Sequence, residues 1–323
     1  MNRREVLALL GVAAALPASV LAQQPTRRLG VLSVTAADDA IGQTRSAVLV
    51  QALAGHGWKE RDNLKTDWRN GGGDRARIAQ FADELVALKP DILLAVGTPS
   101  LEELRRRTTT IPIVFAVVTD PVSQGFVQNL AHPGGNVTGF TDYDGPLAGK
   151  WLEMLTQVVP RPSRVFVVYN PATAPFAPLM LGTIEDAGRA LDVTVEPAPI
   201  HDTVSIVALA SRNDGGLLVL PDFFTLSNRA LLLAAINEAR VPAVFWSRTF
   251  VDEGGLMSYS TDSAEQLRRA ASYIDRILKG ARAADLPVQN PTTFELAINL
   301  KTARAIGVTL SPSLLATANE VIE

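Results

Sequence analysis

The sequence predicts an α/β protein made of two similar lobes, each a doubly wound parallel sheet. Three observations lead there. Short apolar runs alternate with amphipathic stretches, the pattern of βα units packed around a parallel sheet. That alternation runs through one half of the chain and then again through the other. Local wording repeats too: Ile111-Pro112-Ile113-Val114-Phe115 matches Val241-Pro242-Ala243-Val244-Phe245, and the stretch Gly134 to Thr141 matches Glu253 to Ser260.

The elements follow in order. Leu29–Val34 is the first strand, and Thr44–His56 is a helix with Val48, Leu49, Ala52 and Leu53 on one face. Leu64–Trp68 is a strand, Arg75–Leu88 a helix and Asp91–Val96 a strand whose unbroken apolar run suits a sheet covered on both faces. Ser100–Thr108 (helix), Ile113–Val118 (strand), Gly125–Leu130 (short helix) and Val137–Thr141 (strand) complete the half. The second half supplies strands at Val165–Tyr169, Val193–Val195, Leu217–Leu220, Ala243–Trp246 and Leu256–Tyr259, with helices at Ala177–Leu191 and Ser227–Ala239. The tail adds pieces to lobes already complete. Ser263–Lys279 is an amphipathic helix with Leu267, Ala270, Ala271, Ile274 and Leu278 on one face. Phe294–Ile298 is a strand, and Leu300–Ile306 a helix ended by Gly307. No Gly/Ser-rich linker separates the halves, so several direct crossovers are expected, and crossovers between two lobes make a hinge and a closing cleft.

Composition narrows the function. The chain has 323 residues, 47% hydrophobic and 20% charged, with a formal net charge of −3. That is the profile of a globular protein of about two domains, and the slight acidity argues against a nucleic-acid binder. With no cysteine, disulfide scaffolds, thiolate metal sites, cysteine nucleophiles and Cys-anchored lipoproteins are excluded. Residues 1–22 read as an export signal: Arg3 and Arg4, an apolar run Val6–Leu16 too short to span a bilayer, Pro17, and small residues to Ala22. Asn2-Arg3-Arg4-Glu5-Val6-Leu7 also resembles a twin-arginine signal.

In open parallel sheets a ligand lies beyond the carboxyl ends of the strands. Three of those ends carry a polar residue followed by proline: Thr98-Pro99, Asp120-Pro121 and Asn170-Pro171. Each polar residue is expected to cap a helix that leaves backbone N–H groups free for an anion. Other strand ends offer Ser33, Thr35, Thr141, Asp142, Asp222, Ser247, Ser258 and Tyr259. Phe140, Tyr143, Tyr169, Phe223, Trp246 and Phe250 are either walls of a small-molecule pocket or core. The search for catalysis finds little. His56, His132 and His201 are scattered, and there is no HExxH, GxGxxG, GxxxxGK[ST] or GxSxG. Asn70-Gly71-Gly72-Gly73-Asp74 reads as a turn, and Arg105-Arg106-Arg107 as a solvated helix face.

One block is specific: Thr110 to Phe115, Thr119-Asp120-Pro121-Val122, Gly125-Phe126-Val127, Leu130 to Gly139 and Gly149-Lys150-Trp151-Leu152-Glu153. With Tyr169-Asn170-Pro171 and Phe294 to Ala303, it resembles the ABC-transporter substrate-binding family, in the branch with tryptophan and tyrosine binding components. The resemblance implies a type I periplasmic binding protein fold: residues 28–141 with about 261–295 in one lobe, 142–260 with about 296–323 in the other, and three crossovers. It implies a periplasmic monomer, not a lipoprotein, that captures a small amino-acid-like ligand and presents it to a membrane permease and its ATPase, without cofactor or metal. Mapped by strand ends, the cleft residues are Ser33, Thr98, Pro99, Ser100, Thr119, Asp120, Asn170, Asp222, Ser247 and Tyr259. Thr98 and Ser100 would hold a carboxylate, and Asp120 or Asp222 an ammonium, so that Asp222→Ala weakens binding with the fold intact. Two other outputs stay open: a ligand sensor on the same fold, and a racemase or hydrolase using Asp120 and Asp222.

Overall fold

The computed structural model describes residues 26–143, 145–159, 162–211 and 215–323. The expected export signal, residues 1–22, lies outside the described residues. Among those, no helix is long and apolar enough to cross a membrane.

The first lobe is laid down as β1 (Arg27–Ser33), α1 (Ala40–Gly55), β2 (Leu64–Asn70), α2 (Arg75–Ala87), β3 (Ile92–Val96), α3 (Thr98–Arg107), β4 (Ile113–Val118) and β5 (Val137–Thr141). Its five strands are all parallel, in the order β2-β1-β3-β4-β5. β3, β4 and β5 are buried along their whole length. The helix expected at Gly125–Leu130 does not form. Residues 121–130 are turns and bends, and Gly125 takes φ +68°, which ends any helix there.

The chain then enters the second lobe with α4 (Gly145–Val158), β6 (Arg164–Tyr169), α5 (Ala177–Leu191), β7 (Thr194–Pro199), α6 (Thr203–Ala208) and β8 (Gly216–Val219). α7 (Phe223–Ser227), α8 (Arg229–Glu238), β9 (Ala243–Phe245), α9 (Arg248–Asp252) and β10 (Met257–Thr261) follow. α10 (Ser263–Leu278) returns to the first lobe, packing on α1, β4 and β5. β11 (Phe294–Asn299), α11 (Leu300–Ile306), α12 (Pro312–Thr317) and β12 (Glu320–Ile322) return to the second lobe. Its sheet runs β12-β11-β10-β9-β8-β6-β7, parallel except where β10 meets β11. α4, with Leu152 and Leu155 fully buried, covers β8 and β9, and its Trp151 Nε1 donates to the Tyr259 carbonyl at 2.8 Å.

The three crossovers therefore leave β5, β10 and the segment before β11. They are tied to one another: Gln289 pairs with β5 through bonds to Gly139 and Thr141, and Thr141 Oγ1 donates to Asn290 Oδ1 at 2.8 Å. Phe140 packs on Tyr273 of α10.

Gly139 shows how closely β4 and β5 fit. A methyl placed on it would sit 2.2 Å from the Phe115 carbonyl oxygen. Gly139→Ala is expected to cost roughly 2 kcal/mol through overpacking. Gly149, by contrast, lies in α4 with its nearest neighbour, Ala187 Cβ, at 3.5 Å from an added methyl. There alanine is expected to gain up to about 1 kcal/mol of helix stability. Calorimetric unfolding of both variants should show midpoints moving in opposite directions.

Candidate ligand cleft

The carboxyl ends of β1, β3 and β4 face those of β6, β8 and β9 across the crossovers. On the first side, Ser33 and Thr35 share a hydrogen bond of 2.9 Å. α3 opens after Gly97, which takes φ +95° and supplies no side-chain cap, with Pro99 in the first turn. Thr98 therefore lies inside the helix instead of capping it, and its Oγ1 accepts from Thr119 N at 3.4 Å. Ser100 is fully buried and its Oγ has no partner. A buried hydroxyl without a partner at a helix start is a place for an acceptor.

Thr119 donates through Oγ1 to Asp142 Oδ1 at 2.9 Å, and Tyr143 N donates to the same oxygen at 2.7 Å. Burial pushes the Asp142 carboxyl up to about 6 despite those two donors. The Tyr143 hydroxyl donates to the Trp246 carbonyl, and the two rings meet edge on. Burial also raises the Tyr143 phenol.

On the facing side Asp222 is buried and fully engaged. Its carboxylate accepts from Asn170 N at 2.7 Å, Phe224 N at 2.8 Å and Thr173 Oγ1. Burial raises it to about 6 as well. Asp222 is thus the staple between the loops after β6 and β8, and alanine there would strand three donors at about 1–3 kcal/mol apiece. The expectation that Asp222→Ala leaves the fold intact is corrected on that ground. Asp120 and Asn170 are corrected too: neither begins a helix. Each closes a turn of its own backbone, Asp120 accepting from Ser123 N and Asn170 from Ala172 N. Ser247 caps α9 weakly, accepting from Thr249 N at 3.4 Å, and Tyr259 stacks on Phe294 at 5.5 Å.

The lobes touch at the mouth. Phe223 of the second lobe lies against Gly97, where an added methyl would stand 2.9 Å from its ring. Arg229 Nη1 pairs with Asp39 Oδ2 at 3.2 Å, and its Nε with Glu253 at 2.7 Å. A cavity of about 420 Å³ opens beside this pair, lined from one side by Thr35, Asp38, Asp39 and Gly72 and from the other by Phe223, Leu226 and Ser227. A groove of about 790 Å³ lies on the flank of the first lobe, between α3 and the 124–137 segment, and belongs to that lobe alone. Among the described residues, no three His, Asp or Glu side chains are placed to hold a metal ion.

Two buried polar residues here were not among the sequence candidates. Arg45 follows Gly42 and precedes Leu49 and Leu53 on the buried face of α1, so its place in an apolar stripe was a usable signal. Trp246 was weighed only as wall or core, yet its Nε1 is buried without a partner.

The family model for ABC transporter substrate binding proteins matches residues 31–322. The chain is 28% identical over 260 residues to the tyrosine-binding protein of Clostridioides difficile (strain R20291), covering 80% of this chain and 74% of that one. A conserved domain protein from Vibrio cholerae superposes with a TM-score of 0.85 at 28% identity, over 92% of this chain and 99% of that one. A Streptococcus pneumoniae ABC domain in complex with L-Trp superposes at 0.83 with 26% identity, over 92% and 100%.

The raised carboxyls carry a pH signature. Asp142 ionises near 6 in the folded chain and near 3.8 ordinarily. Between those values the folded state holds a proton that the unfolded state releases, so stability rises as pH falls through 6 towards 4. Asp142→Asn removes that contribution. Thermal midpoints taken at pH 7.5 and pH 5 should show the variant gaining less on acidification than the parent; equal gains would contradict the buried carboxyl.

Proposed function

The chain belongs to the ABC transporter substrate binding protein family, and we propose that it captures an amino-acid-like ligand between its lobes. The observation that carries this is the pair of buried, partnerless donors on opposite sides of the cleft, Ser100 Oγ and Trp246 Nε1. Groups of that kind cost free energy unless an acceptor reaches them, and a polar ligand held between the lobes would offer acceptors. Trp246, with Tyr143 and Phe223 each edge-on to it, suits an aromatic side chain. The tyrosine-binding and L-Trp-bound relatives support the same ligand class.

In this reading the ligand shifts the lobes towards closure, because only the closed form offers it both walls at once. The closed shape is what a membrane permease and its ATPase would read. The output is delivery, without turnover. Export by residues 1–22, periplasmic residence without a lipid anchor, and a monomeric state belong to the proposal. So do the lobe limits 28–141 with about 261–295 and 142–260 with about 296–323, β11 opening at Phe294 in the second sheet.

Titration calorimetry with L-tyrosine and L-tryptophan is expected to show one-site binding, with the ligand recovered unchanged in mass and optical rotation. A ligand at 100 times its Kd should add about 2.7 kcal/mol to stability. Ser100→Ala is expected to weaken binding roughly tenfold, the worth of one buried hydrogen bond. Heat-silent titrations together with unmoved melting midpoints would reject the amino-acid class.

The Arg229–Asp39 pair joins the lobes only when they are closed. Arg229→Gln should weaken ligand binding by a few fold at low salt, and the gap to the parent should narrow at 1 M salt, where screening acts within about 3 Å. Calorimetry at the two salt concentrations checks it, and a gap indifferent to salt would assign the loss to something other than the ion pair.

A further inference from the structure

The run Asn70-Gly71-Gly72-Gly73-Asp74 joins β2 to α2 as a stiff loop. Its three glycine N–H groups donate in turn to the carbonyls of Ser33, Thr35 and Val34 at 2.8, 3.2 and 2.7 Å, which ties the loop to the end of β1. Gly71 is crowded from within its own lobe, because an added methyl would meet Ile78 Cγ1 at 2.2 Å. Gly73 is different. It takes φ +75°, and the nearest heavy atom to an added methyl is Ser227 Oγ of the other lobe, 3.3 Å away. Gly97 repeats the arrangement with φ +95° and the Phe223 ring 2.9 Å from an added methyl, and its N–H is fixed to the Ala116 carbonyl at 3.0 Å.

Phe223 and Ser227 are the first and last residues of α7, so both ends of that short helix meet a glycine of the first lobe. α7 is itself held firmly. Asp222 caps it by accepting from Phe224 N, and ties it to the loop after β6 by accepting from Asn170 N. Asn228 Nδ2 and Arg229 Nη1 close its far end, donating to the Phe224 and Leu226 carbonyls at 2.9 and 3.0 Å. A fixed backbone thus lies against a fixed helix at two points, with no side chain on the first lobe to bend out of the way. The Arg229–Asp39 pair beside them draws the lobes together through movable side chains and sets no sharp distance.

We propose that Gly73 and Gly97 are the stop on which α7 comes to rest, fixing how far the lobes close and hence the size of ligand that the closed cleft grips. The assignment rests on the lobes closing around a ligand. Its physical ground is that packed atoms resist compression steeply, whereas a hinge turns on a few backbone angles. Bulk added at the stop would hold the lobes apart. The closed cleft would then be wider, and a small ligand would lose contacts that a larger one keeps. Glycine also suits the two positions because both have φ > 0, so added bulk is better placed on α7 than on the first lobe.

Ser227 is exposed and helical, so Ser227→Trp adds that bulk without backbone strain, and Ser227→Ala is the control that adds none. The test is small-angle scattering and calorimetry on the folded full chain with L-tyrosine and L-tryptophan. The parent is expected to become more compact on saturation with either ligand. Saturated Ser227→Trp should stay more expanded than the saturated parent and bind tyrosine about tenfold more weakly, the scale on which a pocket separates ligands that differ by a small group. Its loss of affinity for the bulkier tryptophan should be smaller. Ser227→Ala should match the parent in radius and in both affinities.

A Ser227→Trp chain that reaches the parent's liganded radius overturns the stop. So does one whose affinities for tyrosine and tryptophan fall by the same factor. If the parent binds neither ligand, the amino-acid reading fails by itself, and the stop is read without ligand from Gly73→Cys combined with Ser227→Cys. The chain has no cysteine of its own, so the one intramolecular disulfide that oxidation can form joins those two positions, with Cβ atoms about 3.5–4.5 Å apart. A disulfide that forms and makes the chain more compact than its reduced form supports the stop; failure to form it overturns the stop.

Discussion

Val117 turns its backbone out of β4 with φ +58°, a conformation that β-branched residues seldom adopt, and the ladder to β5 shifts register between Ala116 and Val118. The N–H freed by this bulge is received by Gln266 Oε1 at 2.9 Å, and Gln266 Nε2 donates to Thr261 Oγ1 at 3.2 Å. One buried amide therefore ties a strand end of the first lobe to the strand that leaves the second. The bulge costs of order 1–3 kcal/mol and persists because Gln266 over-determines it. Its effect is positional. Past the shift, Val118 pairs with Thr141 and accepts from Asp142 N, which sets Thr119 Oγ1 against the Asp142 carboxylate. The floor of the cleft depends on that displacement of one residue.

Around this point the chain separates two kinds of polar group. Asp222 has both carboxylate oxygens engaged by backbone and hydroxyl donors, and Asp120 and Asn170 each accept one backbone N–H through Oδ1, so all three shape loops. Ser100, Trp246 and Arg45, like Arg75 and Ser258, keep buried polar atoms without partners, and the proposed ligand site draws on the first two.

The α/β alternation, the two halves and the returning tail were legible because buried parallel strands read as unbroken apolar runs, as β3 and β4 do. Other features were less so. α4 was not among the expected elements; it opens on Gly145-Pro146, and proline is welcome in a first helical turn. β12 has three residues, too few for any periodicity. The cap reading of Asp120 and Asn170 failed for a chemical reason: a side-chain oxygen accepting from the N–H two or three residues on begins a helix or closes a turn equally well, and the following backbone decides. For the expected cleft, strand ends pointed by topology to Thr98, Ser100, Thr119 and Asp222. They said nothing of Arg45 or Gln266, which lie on helices. A charged or amide side chain on an apolar stripe, as at Arg45 in α1 and Gln266 in α10, is the pattern that exposes such residues.

Closure now has a physical account. In the proposed opening, water would satisfy Ser100, Trp246 and the Arg45 guanidinium, and closing would strip it away. Against this cost the chain offers the Phe223 contact at Gly97 and the partly exposed Arg229–Asp39 pair, and such pairs contribute at most about 1 kcal/mol. On the proposed reading, those two contacts alone would not hold the cleft shut against buried, unmatched polar groups. A ligand that matches them has a large differential affinity for the closed form, and only differential affinity moves such an equilibrium. The polar atoms that make the closed cleft costly are thus the ones that make its closure conditional on the right ligand.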